Sequence, residues 1–576
     1  MYLDADLFSR TEAADPSTAE QTHLSLPPHQ RAAEALARIL RASHPVQLQF
    51  SSGKDSSACA NLLLNAAILV QSEGLKCPPI HVVNVDTGVE SPVVRGLADM
   101  ELTKMRRFAS THRLPVSVHV VRPSLSSSYA TRVLGGRTLP PFPTGKRECT
   151  VDFKVRPSEK IGRSIRMQTE AGGQPLVTVI GTRSSESKVR EISTGRRGES
   201  AHQIWHGISG EAFLSPVLDW DTSDVWMCLG ECAAGEHLAY SDFAALMEFY
   251  ADAGASSCVV VADLKAGANA GACGARSGCW VCGAVKDDHS VQNMVETNPE
   301  RYPYLVPLME FRDYLVNTQW DWSLRNFIGR TINKKGSIAV KADQYSPKMC
   351  ENLLRYLLAA QDKANSLNPP SRVNALGIRE LIAIDFYWSL RAWHPPFHAL
   401  WVYLDHCAGN VVHAPKVDSP LRPSEVPNLG SIHVGTDWDD NQSPLMPSGL
   451  RHPLWEMHSE SCGPSLRVGA NGKTFLSLEE SPEFDVDEEG AYLFFEFEAQ
   501  RMIDLHHHAT ADWTSAASIY LQYGTVSLAK GQSSAVDDMM RRSQWLQRHD
   551  LHGHRSADEM LRRCSVLSAS QSDLFA

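Results

Sequence analysis

Four short runs of apolar, mostly β-branched residues punctuate the first third of the chain: Val46–Phe50, Ile80–Val85, Val116–Val121 and Leu176–Ile180. Such continuous short runs suit strands buried on both faces of a parallel sheet. Between them lie stretches with helical periodicity, Gln30–Ala42, Ser57–Ser72 and Val93–Thr111. Strand and helix in alternation predict an α/β fold with a doubly wound parallel sheet. Ligands of such sheets sit beyond the carboxyl ends of the strands. Further on, Pro216–Tyr250 reads as helical and Tyr304–Gln361 as mostly helical, and Asn368-Pro369-Pro370 marks a break before a helix at Ala375–Ala392. Cys258–Asp288 is a loop dense in Gly and Cys, and His413–Leu450, rich in Pro, Asp, Asn and Ser, reads as a linker or irregular lobe. The resulting division is a tail over 1–24, an α/β domain over 25–250, a cysteine loop over 251–300, a mostly helical domain over 301–410, a linker over 411–450 and a C-terminal α+β extension over 451–576. In that extension the acidic patch Glu479–Glu489, with Phe484, Val486 and Phe494–Phe497, predicts an edge strand and its loop.

Composition narrows the class. With 576 residues, 43% hydrophobic and 21% charged, the chain is long enough for roughly two to four packed domains. Met1–Thr18 lacks the basic and apolar pattern of a signal peptide, and no apolar run reaches the ~18 residues of a membrane span. A cytoplasmic protein without membrane contact is expected. Thirteen cysteines, an odd number, argue against a disulfide framework and leave metal binding, catalysis or burial. The net charge of −11 makes no global case for nucleic acid. Locally the balance reverses: Thr131–Arg166 holds nine Lys/Arg against three Asp/Glu, and Ser323–Lys341 five against none. These segments are candidate polyanion contacts, or solvated surface.

The strand Val46–Phe50 runs into Ser51-Ser52-Gly53-Lys54-Asp55-Ser56-Ser57 ahead of a helix. A small-residue turn at a helix start offers backbone N–H groups and the positive dipole end to an anion. Gly53 permits close approach, Lys54 adds charge, the serine hydroxyls donate, and Asp55 suits magnesium. The spacing is not that of a Walker loop. The turn resembles the S-G-G-K-D-S signature of PP-loop ATP pyrophosphatases, with Ser52 where the family usually has another glycine before Gly53. Val83-Asn84-Val85-Asp86-Thr87-Gly88 matches the family's adenine and ribose side, which implies ATP contacts at Asp86 and Thr87. Ile180-Gly181-Thr182-Arg183-Ser184-Ser185-Glu186-Ser187 is similar to its G-x-R-x-x-E-S element. That resemblance implies ATP contacts at Gly181, Thr182 and Arg183, with Arg183 meeting the leaving pyrophosphate and Glu186 orienting Arg183 or a metal. Leu214–Trp226 is typical of the phosphoadenosine-phosphosulfate reductase and sulfate adenylyltransferase branch. The reductases lack the Lys-Asp pair, so Lys54 and Asp55 imply ATP cleavage to AMP and pyrophosphate.

Cys273-Gly-Ala-Arg-Ser-Gly-Cys279-Trp280-Val281-Cys282 places three thiols within ten residues. A fourth ligand, Cys149 or Cys258, would complete a zinc site or an iron–sulfur cubane, and spacing alone admits both. A PP-loop followed by Gly-Cys-Trp-x-Cys resembles the DndC-like ATP-dependent sulfurtransferases of bacterial DNA phosphorothioation, over roughly residues 25–400. That family carries a [4Fe-4S] cluster on four cysteines, which match Cys149, Cys273, Cys279 and Cys282 here, with Cys258 an alternative to Cys273. The resemblance implies a sulfurtransferase using ATP and magnesium, with DNA as acceptor, a cysteine desulfurase as sulfur donor and other components of the DNA modification complex as partners. Transfer RNA thiolation, sulfate adenylylation and non-catalytic ATP sensing are the competing readings. His506–His508 and His549, His552 and His554 are read as surface histidines, and Cys59, Cys228 and Cys232 as buried thiols.

Overall fold

The computed structural model describes residues 26–142, 148–169, 173–254, 278–285, 287–333, 335–417, 419–425, 431–433, 449–450, 466–468, 474–476, 480–556, 558–559 and 562–563. The α/β region begins with α1 (Pro28–Arg41), β1 (Val46–Gln49), α2 (Lys54–Ser72), β2 (Ile80–Val85), α3 (Pro92–Thr111) and β3 (Val116–Val121). It continues with α4 (Arg156–Thr169), β4 (Val177–Ile180), α5 (Lys188–Arg197), β5 (Trp205–His206), β6 (Ala212–Leu214), α6 (Thr222–Ala233) and α7 (Ala244–Gly254). One sheet holds the six strands in the order β3-β2-β1-β4-β6-β5, all neighbours parallel except β5 against β6. Val46 is in register with Ile80 on one side and Val177 on the other.

The alternation Val46-Gln47-Leu48-Gln49 explains how β1 serves two faces. Val46 and Leu48 enter the main core with α1 and α2, while the two glutamines face α4. Ser158 Oγ donates to Gln49 Oε1 at 2.8 Å, and a side chain at Gly162 would meet Gln47 Oε1 at 3.0 Å. A separate small core of Val83, Ile165 and Leu176 seals that second face. The sheet is therefore covered on both sides, as its apolar runs predict.

Beyond it come α8 (His289–Thr297), α9 (Val306–Asn317), the strands β7 (Arg325–Ile332) and β8 (Ser337–Tyr345), and α10 (Pro347–Ser366), α11 (Ile378–Ser389) and α12 (His398–Cys407). Short strands β9 (Ser431–His433), β10 (Leu466–Val468), β11 (Thr474–Leu476), β12 (Glu480–Ser481) and β13 (Asp485–Val486) precede α13 (Ala499–His506), α14 (Ser515–Gln522), β14 (Val526–Ala529) and α15 (Ser533–Arg548).

Three expectations are corrected. The helical reading of Tyr304–Gln361 fails at β7 and β8, an antiparallel hairpin whose turn is closed by Gly336 at φ 72°. Its β-branched residues alternate with polar ones, and cross-strand pairing outweighs weak helix propensity. The acidic patch supplies β12 and β13, edge strands on either side of β14 as expected, whereas Phe494–Glu498 is helical rather than part of that strand and its loop. His507 is half-buried rather than on the surface, stacked on His398 with ring centroids 5.1 Å apart. Phe484, Val486, Phe494, Tyr520 and Met540 share the core that also holds Val46 and Leu48. No helix among the described residues is long and apolar enough to cross a membrane.

Candidate functional site

Strands on either side of β1 and β4 run outward in opposite directions, so the crevice between these two is the switch point of the sheet. Both loops leaving it carry predicted site residues. After β1, Gly53 caps α2 without any side-chain cap, and Lys54 opens the helix. Ser52 takes φ 57°, left-handed backbone that costs a non-glycine residue about 1–2 kcal/mol. The turn geometry thus demands what glycine supplies freely, at the position where the PP-loop signature has one. Ser52 is only 2% exposed, and its Oγ donates to Ser51 O at 2.6 Å. Ser56 Oγ accepts from Ser51 N at 3.2 Å and donates to Gly53 O at 3.0 Å, which closes the turn. Ser57 is fully buried behind it.

After β4, Gly181 packs directly on that turn. A Cβ there would stand 3.0 Å from Ser56 N and 3.1 Å from the Asp55 carbonyl carbon. Thr182 follows, half-buried. Arg183, 3% exposed, donates from Nε to Asp55 Oδ1 at 2.6 Å and from a terminal nitrogen to Ser185 Oγ and Thr222 Oγ1, both 3.2 Å. Lys54 Nζ lies 3.7 Å from the other Asp55 oxygen and 5.1 Å from the centre of the Tyr250 ring. Two buried cations therefore share one carboxylate beside a helix N-terminus. Glu186, expected to orient Arg183, ion-pairs with Arg190 at 3.1 Å, and Asp55 is the carboxylate that holds Arg183.

The loop after β2 lies next to this crevice. Asp86 accepts from Gly88 N and from Arg122 Nε, each at 2.9 Å. With Glu90, Arg95, Arg122, Trp280 and Arg372 it lines a cavity of about 150 Å³. Arg95 reaches Asn84 Oδ1 at 2.6 Å, and Asn84 donates to Phe50 O at 2.9 Å, so the cavity wall is tied to the end of β1.

The cysteine loop joins the same place. Cys279 bridges Glu90 through the backbone, Trp280 N donates to Val89 O at 3.0 Å, and Thr87 Oγ1 lies 3.8 Å from Cys279 Sγ. Cys282 N closes a turn onto Cys279 O at 2.9 Å, and the Arg312 guanidinium pins Cys282 O and Val285 O at 3.0 and 2.6 Å. Burial pushes the Cys279 thiol up to about 12, with Lys154 opposing. Lys154, five residues after Cys149, also ion-pairs with Glu90 at 3.5 Å, which brings the Cys149 segment to the same edge. Cys149 and Cys282 are half-buried; Cys273 and Cys258 lie outside the described residues. A thiol raised in this way stays protonated on its own, and among the described residues Cys149, Cys279 and Cys282, all half-buried, do not bring their sulfurs close enough together to share one ion. Cys59, Cys228 and Cys232 are buried, as expected.

Much of the basic charge in 131–166 is spent internally. Arg132 and Arg156 pair with Asp152, Lys160 with Glu483, and Arg137 lies over the Tyr387 ring. In 323–341, Arg325 is buried with its guanidinium 4.8 Å from the Tyr345 ring centre. Neither residue type nor spacing signalled Tyr250, Arg95 or Arg122 at the site, because each arrives from a different element of the fold, while Thr222 lies in the Leu214–Trp226 run, whose resemblance assigns it no role.

The fold and the crevice define an α/β protein whose switch point holds two buried cations around one carboxylate at a helix N-terminus. No protein-family model matches the chain, and no curated protein matches it. Solved structures that match include Candida glabrata FMN adenylyltransferase with FMN and the ATP analogue AMPCPP, at 13% identity and TM-score 0.22 over 39% of this chain and 60% of that one. The same enzyme with FAD and inorganic pyrophosphate matches at 14% identity and TM-score 0.24, over 42% and 67%. Yeast FAD synthetase in complex with FAD matches at 13% and 0.21, over 40% and 64%. The chain thus spans about 60% of the first of these enzymes, and likenesses this slight say nothing of what it binds.

Proposed function

We propose that this chain is an ATP-dependent sulfurtransferase of a DNA phosphorothioate modification system, acting with magnesium and a [4Fe-4S] cluster. The observation that carries the reading is the convergence of Lys54, Asp55, Gly181 and Arg183 at the switch point, beside a cysteine loop attached to the Asp86–Glu90 segment. ATP lies with its phosphates on Ser51–Ser57 and its nucleoside toward Asp86 and Thr87. Lys54 and Arg183 exchange Asp55 for phosphate oxygens, which frees the carboxylate to bind magnesium. A nonbridging oxygen of the DNA phosphate attacks the α-phosphorus, and pyrophosphate leaves against the two cations. The terminal sulfur of a persulfide, supplied by a cysteine desulfurase, then displaces AMP, and attack of a second cysteine thiol on the inner sulfur breaks the S–S bond, which leaves the phosphorothioate and a disulfide. Cys149, Cys279 and Cys282, with Cys273, would hold the cluster, which when bound supplies bracing or electrons because four thiolates leave no open iron. Buried Trp280 excludes water from that edge.

The test uses protein purified without oxygen, assayed for iron, acid-labile sulfide and pyrophosphate release from ATP, together with mass spectrometry of host DNA. Phosphorothioate linkages that depend on the chain and vanish with Lys54→Ala are expected. Host DNA with the same sulfur content in its presence and absence would sink the DNA reading, and tRNA sulfur tested in parallel would then decide for the other acceptor.

A further inference from the structure

A second group of metal-ligating side chains lies away from the crevice, in the helical region. Glu351 stands on α10, His394 in the turn after α11, and His398 opens α12. One ligand atom from each lies within 4.8 Å of the other two, and all three residues are 8% exposed.

The hydrogen bond to His394 assigns its proton, and that between His398 and His507 leaves two tautomers. His394 Nε2 is 3.1 Å from Pro347 O, which can only accept, so that nitrogen carries the proton and Nδ1 the lone pair. His398 Nδ1 is 2.8 Å from His507 Nε2, a bond that either ring can donate; in the tautomer with the proton on His398 Nδ1, Nε2 is the lone-pair side. That Nε2 is buried with no hydrogen-bond partner, 3.6 Å from Glu351 Oε2. Ligating histidines commonly donate their other ring N–H to a carbonyl or similar acceptor, the arrangement that His394 shows and that His398 shows in the tautomer donating to His507.

A plain buried ion pair explains this less well. Glu351 already accepts from Lys348 Nζ and Arg355 Nε, each at 3.2 Å, so its charge is met without a protonated His398. At 3.6 Å the His398 nitrogen is too far away for a hydrogen bond. Two ligands each about 2.1 Å from a tetrahedral ion stand about 3.4 Å apart, close to this spacing. The Lys348 side chain is 55% exposed and can withdraw into solvent when an ion arrives.

The geometry points to a divalent transition-metal site, zinc first, on Glu351, His394 and His398, with His507 as the positioning residue behind His398. Two imidazoles and a carboxylate are a borderline donor set, better matched to Zn²⁺ than to Mg²⁺ or Ca²⁺. The site ties α10 and α12 to the C-terminal extension, since His507 caps α13 and stacks on Trp401 at 5.3 Å as well as on His398.

Zn²⁺ is titrated into full-length, metal-stripped chain against a chromophoric chelator, in wild type, Glu351→Gln and His507→Gln. Because all three keep every cysteine, their difference isolates this site from the thiols. One equivalent more in wild type than in Glu351→Gln is expected, with affinity ~10–100-fold weaker in His507→Gln. Cobalt loading should give visible d–d bands that Glu351→Gln lacks. Equal stoichiometry and equal cobalt spectra in folded wild type and folded Glu351→Gln would overturn the site. Should that variant not fold, wild-type crystals soaked in Zn²⁺ decide: an anomalous peak between Glu351 and His398 supports the site, and none there overturns it.

Discussion

Replacing Asp55 by Ala should leave two buried cations facing each other. Arg183 is almost wholly enclosed, and its shortest contact is the 2.6 Å bond to Asp55 Oδ1; Ser185 and Thr222 offer only neutral acceptors at 3.2 Å. Removing one partner of a buried ion pair costs about 3–5 kcal/mol. The Asp55 side chain is 23% exposed, so water can reach the vacated space, and about 2–3 kcal/mol is the better expectation. For a unit of this size that lowers the melting temperature by about 5–10 °C. Calorimetry of wild type, Asp55→Ala, Arg183→Met and the double variant measures it, following the transition that pyrophosphate shifts. Because Arg183→Met removes the orphaned charge, the double variant should recover about 1–2 kcal/mol relative to Asp55→Ala alone. Pyrophosphate should stabilise Asp55→Ala more than wild type, since it meets cations that no longer have a carboxylate to give up. An Asp55→Ala melt within 1 °C of wild type, or penalties that simply add in the double variant, would refute the reasoning.

Ser52→Gly and Ser52→Ala should separate in stability, because glycine relieves the left-handed backbone while alanine keeps it and loses the bond to Ser51 O; a gap of about 1–2 kcal/mol in urea midpoints is expected. Gly181→Ala drives a methyl into backbone on the phosphate turn, so about 1–3 kcal/mol of destabilisation and a matching loss of nucleotide affinity should appear in melts and equilibrium binding. Burial pushes the Asp385 carboxyl up from 3.8 to about 7, against hydrogen bonds from Ala399 N and Tyr520. The folded state then keeps a proton that the unfolded chain has released, so its contribution is full below pH 4 and lost as pH rises toward 7. Asp385→Asn should flatten that slope, gaining on the order of 2–4 kcal/mol over wild type by pH 7.5 in urea titrations at stepped pH.

The parallel strands were legible because a segment buried on both faces has little choice of residue. Ile80–Val85 and Val116–Val121 match their predicted bounds, and α2 starts three residues before its predicted start. The β7–β8 hairpin was not, since Asn326, Gln344 and Arg325 interrupt its apolar alternation, and it pays for them with pairing and burial that only the fold supplies. At the site the local motifs were visible, while the partner of Arg183 was not. Glu186 is three residues along the chain, but Asp55 reaches Arg183 because β1 and β4 are adjacent in the sheet. His394 and His398 carry a spacing of four that sequence reading passed over for the contiguous run His506–His508. Their carboxylate comes from α10, more than forty residues earlier in the chain.

On the proposed function, an anion site that has no anion must still fold, and that requirement accounts for the Lys54–Asp55–Arg183 arrangement. Two cations held in a crevice against a helix N-terminus repel one another and the helix dipole unless something negative sits between them. Asp55 is placed to do that, with one oxygen at 2.6 Å from Arg183 and the other at 3.7 Å from Lys54. The same carboxylate then opposes ligand entry, because a polyphosphate must break these contacts to form its own. Affinity is lowered by that exchange, yet departure of pyrophosphate is helped, since Asp55 returns to both cations as the product leaves. Under this reading Asp55→Asn, which keeps the shape and removes the charge, should hold pyrophosphate more tightly than wild type while binding magnesium–ATP more weakly. Equilibrium dialysis with each ligand would separate these effects, and a parallel loss of both affinities would show that Asp55 does not compete for the cations.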